Sequence, residues 1–177
     1  MRFFAVALLA VVAACGQGKA IFNVDAYSFL QGTGKDTIPY IIPPGVTDTA
    51  STVQKIQLPP GFGSSIVDTV RITNGTANLE NVSGSGTIGF QLFFASDSAG
   101  TYTAPVALDI PATAVNGAQT VVASISGDLS NVDSLFQHET VYMRIAATAT
   151  NTGATLVQGN GVLKALVIRI VLQDKVF

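Results

Sequence analysis

One cysteine, Cys15, and one histidine, His138, are all that the chain offers in thiol or imidazole. With a single cysteine no disulfide can close within the chain, and a Cys-based metal site is excluded. A His-based site or a Ser-His-Asp triad would have to use His138. Tryptophan is absent, which weakens any sugar-stacking platform, because such platforms draw most on that residue. Charge is scarce too: Asp, Glu, Lys and Arg make up 11% of residues, against about 25% in ordinary soluble domains. The formal net charge of −2 leaves no basic patch for nucleic acid. Gly-x-Ser-x-Gly, His-Glu-x-x-His and Gly-x-x-x-x-Gly-Lys patterns do not occur. Gly32-Thr33-Gly34-Lys35 has neither the spacing nor the following helix of a phosphate loop and reads as a turn. No cofactor is expected, and no enzyme.

What the chain does have begins at residue 1. Arg2 precedes an unbroken apolar run from Phe3 to Val12, followed by Ala13, Ala14 and Cys15. A positive start, an apolar stretch and a small-residue cleavage site make a secretory signal. The run is too short to span a bilayer, which takes about 20 apolar residues, and Gly16-Gln17-Gly18 ends it. Val12-Ala13-Ala14-Cys15 resembles the lipobox of bacterial lipoproteins, with Val standing where Leu is usual. The resemblance implies cleavage between Ala14 and Cys15 and a diacylglycerol on the Cys15 sulfur. One acyl chain holds a protein only marginally, at about 0.8 kcal/mol per buried CH₂, so stable anchoring takes a second chain. Gly16 stands where Asp would retain a lipoprotein in the inner membrane, which implies the outer membrane of a bacterial cell envelope. On this reading residues 1–14 are removed, 15–19 form the lipidated N-terminus and tether, and 20–177 form one domain.

That domain reads as strands. Ala20 to Leu30 alternates apolar and polar residues, and Thr37 to Ile42, interrupted by Pro39, suits an edge. Pro43-Pro44-Gly45 and Pro59-Pro60-Gly61 are stiff turns around a strand from Thr52 to Leu58. Ile66 to Thr73, then Asn74-Gly75, then Thr76 to Val82 predicts a hairpin, with Asp68 interrupting the apolar face. Thr87 to Ala95 places Ile88, Phe90, Leu92 and Phe94 on one face and Phe93 on the other. Val106 to Ile110 should stop at Pro111, and Gln119 to Ile125 follows. Thr140 to Thr150 alternates again. A Gln158-Gly159-Asn160-Gly161 loop should lead to Val162–Leu172, whose near-continuous apolar character marks a central strand. Between Gly127 and His138 lies the one helical candidate, with Ser130 as N-cap, Asp133 at N3 and Val132, Leu135 and Phe136 on one face. Eight or nine short strands and one short helix predict an all-β antiparallel β-sandwich, immunoglobulin-like or jelly-roll.

Candidate site residues are few. Asp128, Asn131 and Asp133 could give oxygens to a Ca²⁺ ion, although helix capping accounts for the same residues. His138 sits where a helix C-terminus favours it. Asp68 calls for a cationic partner or a functional role. Tyr27, Tyr40, Phe62, Tyr102 and Tyr142 are the aromatics from which a glycan platform could be built. The expected function is that of a membrane-anchored structural or protein-interaction module of the envelope. The alternative is a module that binds glycan or another envelope ligand. The signal-peptide reading has a direct check: mass spectrometry of the mature N-terminus should find Cys15 acylated, and an unmodified N-terminus beyond Ala14 would exclude the anchor.

Overall fold

A computed structural model describes residues 19–59 and 66–173. Ten strands run through them: β1 (Lys19–Asp25), β2 (Thr37–Ile42), β3 (Thr47–Gln57), β4 (Ile66–Ser83), β5 (Ser85–Ala95), β6 (Leu108–Asn116), β7 (Gln119–Ser124), β8 (Gly127–Asp128), β9 (Thr140–Asn151) and β10 (Val157–Gln173). Their antiparallel pairing is nested. β5 pairs β6, β4 pairs β7, β3 pairs β9, and β2 and β1 pair β10. One long hairpin, folded over repeatedly, gives this order. The result is a six-stranded sheet, β1-β10-β4-β7 with β2 on β10 and β8 on β4, facing a four-stranded sheet, β3-β9-β5-β6. The expected all-β sandwich is therefore present, and its nesting is that of a jelly roll.

The core forms where the two alternating patterns meet. Ile88, Phe90, Leu92 and Phe94 of β5 and Val141, Met143, Ile145 and Ala147 of β9 all turn inward, as their period of two requires. Across from them lie Leu163, Leu166, Ile168, Ile170 and Leu172 of β10 and Val70, Ile72, Ala77 and Leu79 of β4. Each fully buried Leu, Ile or Phe contributes roughly 1.5–3 kcal/mol. The helical candidate is a 3-10 segment of eight residues, Ser130–Gln137. Val132 and Phe136 are buried there, and the Phe136 ring meets that of Phe94 at 5.5 Å. The expected Ser130 cap is not formed; the N-cap is Leu129. Asp128 Oδ1 instead accepts the Ser130 N–H at 2.7 Å, a shorter-range turn in which the carboxylate lies two residues upstream of the donor.

Four expectations fail for physical reasons. Ala20–Leu30 is not one strand: after Asp25, whose carboxylate accepts the Ser28 N–H, the chain enters a 3-10 turn at Ala26–Phe29. Asn74-Gly75 is not a hairpin. β4 continues through it for 18 residues, paired to β10, with register shifts on both sides. These bulges move the inward set from Val70 and Ile72 to Ala77 and Leu79, a change of phase that a turn would not need. Gly75 is required by contact, since a Cβ there would meet Ile125 Cβ and O at 2.7 Å. Gln158–Gly161 is likewise strand, not loop; a Cβ on Gly159 would lie 2.4 Å from Glu80 O and 2.5 Å from the Tyr40 hydroxyl. Finally, β6 runs past Pro111. It tolerates the missing N–H because it is an edge strand with a register shift opposite, between Ile88 and Phe90.

At one end of the sandwich the chain turns from one sheet into the other four times, and two buried asparagines tie these corners together. Asn81 Nδ2 donates to Ser83 O (3.1 Å), Gly84 O (3.1 Å) and Gly117 O (2.6 Å). Its Oδ1 accepts the Tyr40 hydroxyl at 3.1 Å. Asn151 Nδ2 donates to Ile42 O and Thr155 O, each at 2.8 Å, and its Oδ1 accepts the Gly153 N–H at 2.9 Å. No buried side-chain nitrogen or oxygen among the described residues lacks a partner, as a low-dielectric interior demands.

Two outcomes follow. Gly75→Ala should lower stability by about 1–3 kcal/mol, read as a lower urea midpoint at unchanged slope, while Asn74→Ala should change it by no more than about 0.5 kcal/mol. Comparable losses at both positions would restore the hairpin. Burial pushes the Tyr40 hydroxyl up to about 12, above the value near 10 of an unfolded tyrosine. Its neutral form is the one the fold keeps, so its contribution is complete below about pH 10 and disappears as pH rises through about 12. Urea titrations across that window should show a steeper loss in the wild type than in Tyr40→Phe, and parallel curves would exclude the coupling.

Candidate functional site: an arginine between two rings

Outward-facing residues of the four-stranded sheet form cross-strand rows. Val53, Arg144 and Phe93 lie side by side, and Lys55, Tyr142 and Ala95 form the next row. Phe93 faces out because Leu92 and Phe94 face in, yet it is only 8% exposed. The Arg144 guanidinium covers it, with Cζ 3.7 Å from the ring centroid. The loop after β5 returns over the same spot. Asp97 Oδ1 accepts the Gly100 N–H at 2.7 Å, and the Thr101 hydroxyl donates to Ser98 O at 2.7 Å. This folds the chain into the 3-10 turn Gly100–Tyr102. Buried Thr101 then accepts the Arg144 Nε–H on its carbonyl at 3.0 Å. The Tyr102 ring also lies over the guanidinium, 4.9 Å from Cζ, while staying 61% exposed. Each cation–ring contact contributes about 0.5–1 kcal/mol at a surface. Their larger effect is to fix the plane of the guanidinium.

Beyond this cluster the same face is rich in hydroxyls. Thr47 and Thr150 share a hydrogen bond at 2.9 Å, as do Thr49 and Thr148. Ser51, Ala146 and Gln91 make the intervening row. From Thr47 to Lys55 the ledge runs about 27 Å at the usual strand rise. Cavities inside the sandwich are small by comparison. One of about 10 Å³ is lined by Ile38, Phe90, Leu92, Leu163 and Leu166 among others, and one of about 50 Å³ lies between β2 and β3 beside Tyr40 and Asp48. Neither approaches the several hundred Å³ of a small-molecule pocket.

Residues singled out from the sequence are distributed unevenly over this arrangement. Tyr102 and Tyr142 stand on the ledge. Tyr40 is 6% exposed and tied to Asn81, and Tyr27 packs partly buried against the core, so neither belongs to an exposed platform. Phe62, Ala14 and Cys15 lie outside the described residues. Asp68 faces outward on the six-stranded sheet and pairs with Lys19 at 3.0 Å, because a register shift near Leu172 turns Val67 inward in its place. His138 is exposed and extended at the end of the 3-10 segment. Of the cation candidates Asp128, Asn131 and Asp133, the first two have partners elsewhere. Asp128 takes the Ser130 N–H and pairs with Arg71 at 3.5 Å, and Asn131 Nδ2 donates to Val106 O at 3.1 Å. The Ser130 backbone N–H, then its hydroxyl and Arg71, hold the Asp128 carboxyl below the usual carboxylate range. No group of three His, Cys, Asp or Glu able to hold a metal occurs among the described residues. Arg144 and Phe93 are the residues that motif search overlooks. Their signal is a bulky aromatic on the face of β5 that alternation assigns to solvent.

No family model matches the chain, and no curated protein matches it. Among solved structures it is similar to a chain in the structure of infectious bursal disease virus Gx strain, at 10% identity and TM-score 0.34, over 80% of this chain and 33% of that one. It is also similar to a chain from the Gt strain of that virus, at 11% identity and TM-score 0.22, over 77% and 41% respectively. The chain thus spans less than half the length of either. At such distances the likeness adds nothing to the strand pairing, on which the fold rests.

Proposed function

We propose that the protein is an envelope interaction module, held to a membrane by lipid on Cys15, that binds a glycan-like ligand along the ledge of its four-stranded sheet. The observation that carries this reading is the exposed Tyr102 ring beside Arg144 at the end of a hydroxyl-lined face. Aromatic faces pack against the apolar faces of sugar rings, and threonine hydroxyls both donate and accept for sugar hydroxyls. An extended chain fits a ledge better than it fits the small interior cavities.

Edge chemistry supports a ligand on the face over a protein strand added to a sheet edge. Lys35 Nζ donates to Val53 O at 3.0 Å and to Gln54 Oε1 at 3.1 Å, occupying the free edge of β3. Pro39 sits on edge strand β2 and Pro111 on edge strand β6. Charged and proline residues at edges oppose strand addition. Asp68 and Asp128 are each paired with a base away from the ledge, which favours binding over catalysis there.

The test uses the full-length lipoprotein reconstituted into vesicles and purified envelope polysaccharide from the producing cell. Wild type should be retained, and Tyr102→Ala should weaken retention about threefold to tenfold with melting unchanged. Equal retention of variant and wild type would remove the ledge from the binding surface. Capture of a protein alone, with no polysaccharide retained, would favour a protein-interaction module.

A further inference from the structure

Among the described residues, three of the four basic side chains on the six-stranded sheet are matched, and Arg169 of β10 has no ion pair. Lys19 meets Asp68 at 3.0 Å, Arg71 meets Asp128 at 3.5 Å and Lys164 meets Glu80 at 3.7 Å. Arg144 is not matched either. No carboxylate among the described residues lies within ion-pair distance of it, and its one hydrogen bond, from Nε to Thr101 O, uses a neutral acceptor. Asp97 in the overlying loop directs Oδ1 to the Gly100 N–H. Lys55 stands in the neighbouring row, adding a second positive charge to the same end of the ledge. A chain with so little charge thus holds an arginine against two rings, half-buried, with no hydrogen bond from either terminal nitrogen to another described residue.

That combination has a specific chemical use. Side-chain freedom is the main cost of recruiting an arginine, and here the stacking and the Nε bond have already removed most of it. The terminal N–H groups form a planar fork suited to two oxygens of one oxyanion. The adjoining Tyr102 face and threonine floor suit a sugar ring that carries the oxyanion. Resting on the ligand-binding reading above, we infer that Arg144 is the recognition residue for an acidic polysaccharide, pairing with a carboxylate on a sugar that stacks on Tyr102. A guanidinium serving only to cover Phe93 would need neither the Nε bond that orients it nor the absence of an acid beside it.

The experiment compares three probes on the full-length lipoprotein in neutral-lipid vesicles: polygalacturonate, its methyl ester, and, as a separate arm, free vesicles containing phosphatidylglycerol. Polygalacturonate should bind at least about tenfold more tightly than the ester, the ratio expected from one charge-assisted hydrogen bond. Arg144→Gln should abolish that preference, and Arg144→Lys should restore only part of it, because a point charge lacks the fork. Near-UV circular dichroism and thermal melting of each variant report whether the domain remains folded. Equal binding of acid and ester, insensitive to Arg144→Gln, would overturn the assignment and leave a neutral-glycan ledge standing. Arg144-dependent attachment to phosphatidylglycerol vesicles without polymer binding would also overturn it, in favour of a membrane headgroup. Failure of all three probes to bind would remove the glycan reading together with this one.

Discussion

Two buried amides hold the sandwich to its shape. A nested hairpin becomes two facing sheets only if every strand pair bends over at the same level, and each bend exposes carbonyls that no ladder partner can reach. Asn81 gathers the carbonyls of the β4–β5 and β6–β7 corners, and Asn151 gathers those of the β2–β3 and β9–β10 corners. Backbone bonds reinforce the same junctions, from Gly117 N–H to Gly84 O and from Asn151 N–H to Val46 O. With the corners fixed, the inward residues of β5 and β9 face those of β4 and β10, and no buried side-chain polar atom among the described residues is left unpaired. Removing an amide from such a cluster would leave several carbonyls short of donors at once, which is costlier than losing any single contact.

The strands most legible from residue order were those with strict alternation. β5 and β9 keep one phase from end to end, so Ile88, Phe90, Leu92 and Phe94, and Val141, Met143, Ile145 and Ala147, are buried as their spacing dictates. β4 was misread because it changes phase. Local chemistry at Asn74-Gly75 suits a tight turn as well as it suits a bulge, and the choice is made by β10, which lies some ninety residues further along and offers a continuous partner. Gly159 shows the same ambiguity. A glycine beside Asn and Gln looks like loop, but the reason for it is the Tyr40 hydroxyl and the Glu80 carbonyl arriving from other strands.

The candidate site was legible in its parts and not in its assembly. Tyr102 and Tyr142 stood out as aromatics from which a platform could be built, and Phe93 as a bulky ring on the face of β5 opposite the core. That Arg144 stacks on Phe93 depends on the register of β5 against β9, and that Tyr102 covers it depends on the loop turning back through Thr101. Neither can be read from neighbours in sequence. Conversely, Tyr40 was grouped with the platform aromatics, yet it is a core residue whose hydroxyl donates to Asn81. Asp68 looked like a charge on an apolar face only while the bulge beside it was unknown.

The nested order of pairing also dictates when the molecule can come into being. β10 is the last of the described strands and the central one of the larger sheet, gripping β1 and β2 on one side and β4 on the other. Until it is present, the earliest strands have no ladder to join, and their apolar faces have nothing to close upon. A chain emerging from the ribosome would therefore stay open until β10 has been made, and its long-range pairings would then form slowly. If the polypeptide is exported, as the proposed lipid anchor requires, such lateness would let translocation meet an extended chain before the sandwich closes.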